Sequence, residues 1–470
     1  MSTLGKRRPS RAASGGSGLS RKASGGREGV PRSVENGVAP GQVDIEGLAH
    51  DGRGIARTHD GKRVFVDGAL PGERVAIAVH RSRGRYDEAH ASDVVAASPL
   101  RVTPPCSHAG RCGGCDLQHM DVDAQRRHKS GVLRELLQRQ GIEFSGDVEV
   151  LATRNQHYRR RARLGVRVDA EGRIHLGFRA RNSQRLVAVE HCTILVPELA
   201  ALLPALGQLL DGLEAPRHVG HIELLYSDQG PSLVIRQLRR HHADQQRWQQ
   251  WAQQRQLRLA QWVGREQPTL EWLWPQLAPQ LSVAVPGAPD DLTLLLEPQD
   301  FLQANDGVNR LMVVTVLEWL GPGATTLLDL FAGLGNFSLP LARSGYRVTA
   351  VEGQADMVKR LAINAGRNQL EVDSRRANLH DDGEVAALFA DLSTEVVVLD
   401  PPRDGAEAVC RALAEQMSVT RVLYIACDPA TLARDAAYLL QGGFALKRVA
   451  MADLFVHTSH LESMLLFERK

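Results

Sequence analysis

Residues 40–98 alternate apolar and polar positions with the two-residue period of β-strands. Turns at Asp60-Gly61 and Pro71-Gly72 separate the apolar segments. The predicted strands are Gln42–Glu46, Gly54–Thr58, Arg63–Val66, Arg74–Val79 and Ala89–Ala96. Five short strands in about 60 residues favour a small all-β barrel of the oligonucleotide-binding kind. The loop between its last two predicted strands carries Arg81, Arg83 and Arg85.

From about Leu311 onward, short apolar runs alternate with helical stretches. The predicted strands are Thr326–Leu330, Arg347–Val351, Glu395–Leu399, Arg421–Ala426, Ala445–Ala450 and Ser463–Arg469, and two of the helices are Asp356–Asn368 and Thr431–Leu440. Such alternation is typical of a doubly wound, mostly parallel sheet. Residues 296–470 are therefore predicted to form an α/β domain.

The intervening residues, 99–295, have no regular period and are predicted to form a mixed α+β central domain. A Pro- and Cys-rich loop leads to a predicted helix at Ala124–Gln140. Ten Arg between Arg154 and Arg185 stand against two acidic residues. Part of this segment alternates as a strand, so every second Arg would point the same way. A solvated face is the ordinary interpretation of such a charge run, but a track for nucleic-acid phosphates is favoured here.

The composition excludes several classes of protein. With 43% hydrophobic and 24% charged residues among 470, the chain is neither mainly disordered nor fibrous. It has no apolar run long enough to cross a membrane, and its first residues lack the apolar core of a secretion signal. Six cysteines are too few for a secreted disulfide scaffold. The expectation is a cytoplasmic protein without membrane or obligate protein partners, whose cysteines are reduced, metal-bound or catalytic.

Residues 1–35 differ from the rest of the chain. They contain seven Gly, seven Ser and eight Lys or Arg against two Glu, with almost nothing apolar. This composition predicts a disordered basic tail. It is either a solvated tail without a role or one attracted non-specifically to nucleic acid.

The first strand of the α/β domain ends in a loop with the chemistry of a nucleoside site. Gly333 and Gly335 allow a tight turn close to a ligand, and the next strand ends in Glu352, which can accept hydrogen bonds from ribose hydroxyls. A dinucleotide site would need a third Gly where Ser338 stands. The pattern therefore favours a nucleoside without phosphates, such as S-adenosylmethionine, over a tight turn without a ligand.

A second strand of this domain ends in Asp400-Pro401-Pro402-Arg403, at the sheet edge where ligands bind. The motif is similar to the Asp-Pro-Pro-aromatic motif of amino-methyltransferases. Arg403 replaces the aromatic residue that would stack on a base. This difference argues against methyl transfer to an exocyclic amine.

Cys427 follows the next strand and precedes a predicted helix. The helix dipole would favour its thiolate, whereas the neighbouring Asp428 would oppose it. A thiolate suits a pyrimidine acceptor, because its addition to C6 makes C5 nucleophilic, and a base must later remove the C5 proton. Glu462 is the candidate base, with His457 and His460 as helpers.

Three cysteines are close in sequence, Cys106, Cys112 and Cys115, and Cys192 is a distant fourth. Four thiolates suit either zinc or an iron–sulfur cluster, and the spacing alone does not choose between them. The remaining cysteine, Cys410, fits a buried apolar position.

Four motifs together resemble the RNA uracil-5-methyltransferase family: Asp329–Asn336, Asp400–Arg403, Tyr424–Asp435 and His457–Ser463. The resemblance implies a class I, Rossmann-like methyltransferase domain with Cys427 as nucleophile and Glu462 as general base. It also implies S-adenosyl-L-methionine as cofactor, held by Gln303, Phe331, Asn336, Glu352, Asn378 and Asp400.

The barrel and the cysteine spacing resemble the ribosomal-RNA branch of that family, whose N-terminal module is the TRAM barrel. This resemblance implies a [4Fe–4S] cluster on the four cysteines and methylation of one uridine of 23S rRNA. The domains expected are a tail at 1–35, the barrel at 36–98, a central RNA-binding domain at 99–295 and the methyltransferase at 296–470. The alternatives are another RNA substrate, a non-catalytic iron–sulfur RNA-binding protein, or a cytosine-C5 methylase, which usually has Pro where Ala426 stands.

Overall fold

The computed structural model describes residues 41–181, 183–264 and 268–469. The predicted basic tail at residues 1–35 lies outside the described residues.

The N-terminal strands close into a barrel in the order β1-β2-β3-β5-β4. Their bounds are β1 Gln42–Leu48, β2 Gly54–Arg57, β3 Arg63–Asp67, β4 Arg74–Ser82 and β5 Tyr86–Ala96. Alternate residues such as Val43, Ile45 and Val75 fill the interior, as the two-residue period predicted. Arg81, Arg83 and Arg85 are exposed around the β4–β5 turn.

The next two elements, a helix and a strand, pack with the C-terminal sheet rather than with the central sheet. Helix α1 spans Val122–Arg139 and strand β6 spans Val148–Leu151. β6 pairs in parallel with Phe444–Ala452, and Leu133 and Leu137 of α1 lie in the core beneath that sheet. A sequence-based boundary at residue 296 places both elements in the central domain, because their partners are about 300 residues away along the chain.

The central domain is a seven-stranded sheet in the order β13-β12-β11-β10-β7-β8-β9. Its strands are β7 Arg161–Val168, β8 Ile174–Arg179, β9 Leu186–Ala188, β10 Val219–Ser227, β11 Gly230–Gln237, β12 Arg258–Val263 and β13 Thr269–Trp274. Its helices are α2 Pro197–Ala200, α3 Leu202–Asp211 and α4 His242–Gln254, with a 3-10 turn at Pro216–His218.

The two faces of this sheet differ in chemistry. One face packs on the helices through Leu224, Ile235 and Trp248. The strand period places Arg161, Arg163, His221, Glu223, Arg236 and Trp262 on the other face, which we call the polar face.

A hairpin, β14 Leu281–Val285 and β15 Leu292–Leu296, connects the central sheet to the C-terminal domain. That domain has an eight-stranded sheet in the order β18-β17-β16-β19-β20-β22-β21-β6, with β18 to β20 parallel. The strands are β16 Thr326–Leu330, β17 Arg347–Glu352, β18 Val372–Arg376, β19 Val396–Leu399, β20 Arg421–Ala426, β21 Phe444–Ala452 and β22 Glu462–Arg469. The helices are α5 Asp306–Leu320, α6 Ser338–Arg343, α7 Ala355–Arg367, α8 Asp382–Asp391, α9 Glu407–Glu415 and α10 Pro429–Gln441. The predicted doubly wound sheet is confirmed.

Within the described ranges, every helix is too short or too polar to span a lipid bilayer.

Candidate active site

The loop after β16 turns tightly at the carboxyl edge of the sheet. Phe331, Gly333 and Gly335 have φ angles of 64°, 56° and 96°, a region that strongly favours glycine. A Cβ atom on Gly335 would lie 2.1 Å from Leu339 Cδ1. The Gly333 amide donates a 3.2 Å hydrogen bond to Glu352 Oε2 at the end of β17. The turn therefore places Glu352 beside the loop, as the sequence predicted.

Two further predicted cofactor residues flank this loop. The side-chain amides of Asn336 and Asn309 exchange two hydrogen bonds of 2.9 and 3.0 Å, which fixes the orientation of Asn336. Gln303 is buried, and its carbonyl accepts a 2.9 Å hydrogen bond from Arg160 Nε. Its neighbour Leu302 shares a core cluster with Leu334 of the loop. Gln303 is thus brought to the loop by the segment that follows β15.

Asn378 is placed differently from the other predicted cofactor residues because it is exposed. Its backbone amide donates a 2.7 Å hydrogen bond to Glu384, and its side-chain oxygen accepts from the His380 amide at 3.2 Å. The His380 ring lies 5.6 Å from that of Phe331, centroid to centroid. The Asn378 turn therefore borders the loop through His380.

Asp329 is fully buried at the end of β16. Burial raises the pKa of its carboxyl group to about 7, although hydrogen bonds from Ser338 lower it; the Glu352 charge adds to the increase. Its Oδ1 atom has no hydrogen-bond partner among the described residues. Ser338, which replaces the third Gly of a dinucleotide motif, thus stabilises a buried acid.

Strand pairing brings Cys427 and Glu462 together. β20 and β22 are antiparallel neighbours with Ala426 opposite Ser463. The next residue of β20 and the preceding residue of β22 therefore lie side by side at the edge of the sheet. Glu462 is buried, and Cys427 is half-buried.

These two residues share one electrostatic environment with Asp400 and Arg403. Burial, together with the charges of Glu462 and Asp400, raises the pKa of Cys427 to about 11, and Arg403 opposes the increase. Burial and the Asp400 charge raise the pKa of Glu462 well above its ordinary value, again against Arg403. Burial and the Asp329 charge raise the pKa of Asp400 to about 7. A thiol and two carboxyl groups, all with raised pKa values, and the Arg403 guanidinium therefore form a single cluster.

The predicted helix start beside Cys427 is confirmed. The Asp428 side chain caps α10 by accepting from the amides of Ala430 and Thr431 at 2.9 and 3.1 Å, and Pro429 occupies the first helical turn. The dipole of α10 favours the Cys427 thiolate. Burial and the neighbouring acids nevertheless outweigh it, since the pKa of Cys427 is raised.

A buried acid without a sequence-based role supports the loop of Asp400–Arg403. Asp435 accepts hydrogen bonds of 2.6 Å from the Tyr424 hydroxyl and 2.7 Å from the Ala406 amide. Thr431 Oγ1 donates to the Arg403 carbonyl at 3.2 Å. The signal in the sequence was an Asp within the apolar stripe of a predicted helix.

The two predicted helper histidines are not equivalent. His457 is buried, with φ of 68°, and its carbonyl accepts from the amides of Asp116 and Leu117. The Nδ1 atom of its ring lies 3.3 Å from Gln125 Nε2. His460 is exposed at the surface, and partial desolvation by the surrounding protein together with the Arg403 charge lowers the pKa of its ring. His457 thus joins the cysteine loop to the C-terminal loop, while His460 lies nearer the cluster.

The four predicted metal-binding cysteines converge from two segments. Burial is the main reason why the pKa of Cys112 is raised, and the charges of Cys192 and Cys106 raise it further. The Gly114 amide lies 3.4 Å from Cys112 Sγ as a donor. Cys115 and Cys192 pack in the same apolar cluster. All four side chains are half-buried.

This convergence does not make a site for a single ion. Among the residues described, no group of three or more His, Cys, Asp or Glu side chains is placed to hold a metal ion. The arrangement of the described side chains therefore does not by itself choose between zinc and an iron–sulfur cluster. The cysteine loop lies against the central sheet, since a Cβ atom on Gly113 would be 2.8 Å from the Arg179 carbonyl oxygen.

The predicted Arg track on β7 is more varied than its alternation suggested. Arg160 is buried and paired with Asp306 at 2.7 Å. Arg161 Nη2 lies 3.4 Å from Glu223, and Nη1 and Nη2 of Arg161 donate to the backbone carbonyls of Asp300 and Pro298, respectively. Arg163 is exposed. Only part of the run thus remains open to a polyanion, because the chain itself uses the rest.

Two family models match the chain. The model described as tRNA (Uracil-5-)-methyltransferase covers residues 121–375 and 385–470. The model described as TRAM domain covers residues 42–91. The first begins beside the start of α1, and the second runs from the start of β1 into β5 of the barrel.

Close relatives carry one name. A protein of Halomonas elongata is 56% identical over 100% of this chain and 97% of its own length. One of Chromohalobacter salexigens is 51% identical over 100% of this chain and 96% of its own length. Both are named 23S rRNA (uracil(1939)-C(5))-methyltransferase RlmD.

A solved structure has the same fold. The Pyrococcus abyssi tRNA (uracil-54, C5)-methyltransferase, in complex with S-adenosyl-L-homocysteine, aligns with a TM-score of 0.70 over 91% of this chain and 100% of its own. The two sequences are 21% identical, so the likeness concerns the fold.

Proposed function

Because the chain belongs to the tRNA (uracil-5-)-methyltransferase family, we propose that it transfers a methyl group from S-adenosylmethionine to C5 of uridine 1939 of 23S rRNA in the cytoplasm. The observation that carries the proposal is the grouping of Cys427, Glu462, Asp400 and Arg403 at one sheet edge. The names of relatives that are 56% and 51% identical over the whole chain support the RNA substrate.

The reaction begins at Cys427. The thiol loses its proton, and the sulfur forms a bond to C6 of the uracil while the C5–C6 π pair moves towards C5 and O4. Because the pKa of Cys427 is raised to about 11, the resting group is a thiol. Binding of uracil must therefore be accompanied by transfer of this proton to an ionised carboxylate, and Asp400, whose pKa is about 7, is partly ionised near neutral pH. Arg403 is the cation of the cluster and compensates the negative charge that develops on the ring.

S-adenosylmethionine supplies the electrophilic methyl group. Glu352 accepts two backbone hydrogen bonds and keeps lone pairs for ribose hydroxyls. Within the loop, Phe331 contributes an apolar ring. Asn309 holds Asn336 in one orientation. Gln303, Asn378 and Asp400 complete the proposed cofactor site.

The final step belongs to Glu462. After C5 has taken the methyl group, with S-adenosylhomocysteine as the leaving group, the Glu462 carboxylate removes the C5 proton, the C5–C6 double bond forms again and the sulfur leaves as a thiolate that then regains a proton. The raised pKa of Glu462 makes its carboxylate a stronger base than an exposed Glu. Cys427 and Glu462 thus act before and after methyl transfer, respectively.

The test is methylation of purified RNA. Wild-type protein with methyl-labelled S-adenosylmethionine should label an unmodified 23S rRNA fragment, and nucleotide mapping should find 5-methyluridine at position 1939 alone. Label at a tRNA uridine instead would favour the alternative RNA substrate. Binding of the rRNA without any label would favour the non-catalytic alternative, and label on cytosine would favour a cytosine-C5 methylase.

We also infer that Cys106, Cys112, Cys115 and Cys192 hold a [4Fe–4S] cluster. Their convergence from two segments, their mutual electrostatic influence and the amide donor at Cys112 Sγ support it. A cluster spreads its four thiolate ligands over several irons, which is compatible with the poor fit to one ion. It would tie the cysteine loop to the segment of Cys192.

Metal and sulfide analysis tests this inference. Anaerobically purified protein should contain about four irons and acid-labile sulfide per chain. Cys112→Ala should lose both, whereas Cys410→Ala, which changes a buried cysteine of α9, should keep them. Stoichiometric zinc without sulfide would contradict the cluster.

A further inference from the structure

A small cavity lies on the polar face of the central sheet. It measures about 210 Å³ and is lined by Arg161, His221, Glu223, Arg236, Trp262 and Pro298. Pockets for drug-sized ligands measure about 300–1,000 Å³. The cavity therefore suits one ring system rather than a larger molecule.

One wall of the cavity is a set of paired charges. Glu223 lies within 3.5 Å of His221 Nε2 and 3.4 Å of Arg161 Nη2. The hydrogen bond from His221 lowers the pKa of Glu223 despite burial, and the charges of Arg161 and Arg163 lower it further. The acid is thus neutralised by its own neighbours and does not demand a cation from the ligand.

The neighbouring strands β11 and β12 contribute donors without acceptors to the same face. Arg236 Nη1 and Trp262 Nε1 are both buried atoms, and neither has a hydrogen-bond partner among the described residues. The two residues are direct neighbours in the register of β11 and β12. Buried donors are nearly always paired in folded proteins. A ligand acceptor placed beside Arg236 would satisfy one of these donors.

Hydrogen bonds and an ion pair connect the cavity to the cofactor side of the active site. Arg161 donates to the Pro298 carbonyl at 3.0 Å and also to the carbonyl of Asp300. Asp300 forms a 2.6 Å ion pair with Arg360 of α7. Gln303 follows three residues later in the same segment. A ligand in the cavity would thus contact the segment that carries Gln303.

We propose that this cavity binds the base of a nucleotide near the target uridine, with the base stacked on Trp262 and its acceptor atoms facing Arg236. The inference rests on the proposed RNA substrate and adds a specificity site outside the catalytic cluster. Stacking on aromatic residues and Arg contacts to base acceptors are common in recognition of single-stranded RNA.

A base fits this cavity better than a phosphate group does. Trp262 offers an aromatic surface, which a phosphate does not use. The guanidinium N–H of Arg236 matches a ring nitrogen or carbonyl oxygen at the edge of a base stacked on Trp262, whereas the indole N–H lies in the plane of its own ring and does not contact that base. The neighbouring Arg163 is exposed and remains available to the adjoining phosphate.

The test is a binding cycle with abasic RNA. RNA oligonucleotides that span uridine 1939 are made with an abasic nucleotide at one flanking position at a time, and binding to wild type and Trp262→Leu is measured. At one position the abasic change should weaken wild-type binding by about 5- to 100-fold. Trp262→Leu should lose a similar factor on intact RNA and nothing further on that abasic RNA.

Two more variants separate the interactions. Trp262→Phe keeps a ring and should restore most of the affinity lost in Trp262→Leu. Arg236→Met should weaken binding at the same nucleotide without changing the salt slope, whereas a slope smaller by about 1 would identify a phosphate contact and overturn the base assignment. Arg367→Met, an exposed Arg on α7, is the matched control and should bind as wild type.

The outcome distinguishes this inference from the proposed function. Additive losses at every abasic position would overturn the base site even if wild type methylates uridine 1939. If wild type binds this RNA with the predicted coupling but transfers no methyl group, the base site stands and the proposed function fails. If the RNA does not bind at all, both are wrong.

Discussion

The pKa values of the carboxyl groups at the edge of the methyltransferase sheet are raised, whereas the pKa of the carboxyl group on the polar face of the central sheet is lowered. Burial raises the pKa of Asp400 to about 7 and raises that of Glu462 well above its ordinary value, with Arg403 opposing the increase at Glu462. On the polar face, His221 and Arg161 lower the pKa of Glu223. Both regions place acids on a β-sheet, but burial dominates at the methyltransferase edge and positively charged neighbours dominate on the polar face.

The difference separates chemistry from positioning. Acids that retain protons near neutral pH can exchange them during a reaction, and such perturbed groups cluster at functional sites. An acid that is paired on several sides keeps its charge and holds its neighbours in place. The methyltransferase edge is therefore suited to proton transfer, whereas the polar face is suited to fixing a segment and a ligand.

The largest expected effect concerns the thiol of the methyltransferase edge. Cys427→Ala should lower methyl transfer by at least about 1,000-fold and abolish covalent RNA adducts, because no other group can add to C6. Activity is measured with labelled donor, and adducts by denaturing gel electrophoresis. The control Cys410→Ala should remain active and lose about 1 kcal/mol of stability. Methylation of C5 by Cys427→Ala would exclude the covalent mechanism.

Replacing the proposed base should stop the reaction one step later. In Glu462→Gln the methyl group can still be transferred, but the C5 proton stays and Cys427 is not expelled. Turnover should fall by about 100- to 10,000-fold, while a denaturant-stable adduct carries the methyl label with the protein. Normal turnover without an adduct would make His460 or His457 the candidate base.

A third change tests the paired charges near the central sheet. Arg160→Met removes a buried guanidinium that bonds Asp306 and the Gln303 carbonyl. Unfolding free energy should decrease by about 2–3 kcal/mol, less than for a fully buried pair because Asp306 can reach water. Urea denaturation measures the change, with the exposed Arg367→Met as control. A loss below about 0.5 kcal/mol would show that this pair contributes little.

The raised acids should make stability depend on pH. The folded pKa of Asp329 is about 7, above its ordinary value of 3.8. The folded protein therefore holds a proton that the unfolded chain releases, so stability should fall as pH rises from about 4 to 7. Asp329→Asn should remove this loss and be the more stable protein by about 1–3 kcal/mol at pH 8, but not at pH 4. Parallel pH profiles would contradict the raised pKa.

Glu223 should show the opposite and smaller dependence. Its folded pKa is lowered, so its ion pairs stabilise the protein above the ordinary pKa of 4.5 and this contribution disappears as pH falls through the folded pKa. Glu223→Gln should cost about 0.5–1 kcal/mol at pH 7 and nothing at low pH. Thermal denaturation at several pH values measures both variants. A gain in stability at neutral pH would remove the contrast between the regions.

Much of the fold followed from the sequence because its signals are local. The two-residue period predicted the barrel strands, and the alternation of strands and helices predicted the parallel sheet. Glu352 and Cys427 could be placed because each follows a predicted strand, and carboxyl ends of parallel strands share one edge. The cap at Asp428 was likewise readable from Asp followed by Pro.

The tertiary structure alone decided the charges and the long-range partners. Whether Cys427 is a thiol or thiolate depends on burial and on Glu462 and Asp400, which are distant in sequence. Arg161 holds the segment before Gln303 through hydrogen bonds to residues more than 130 positions away in the sequence. Period and spacing fix the local conformation and the sheet edge on which a residue lies, whereas pKa values and pairings depend on which distant groups are desolvated together.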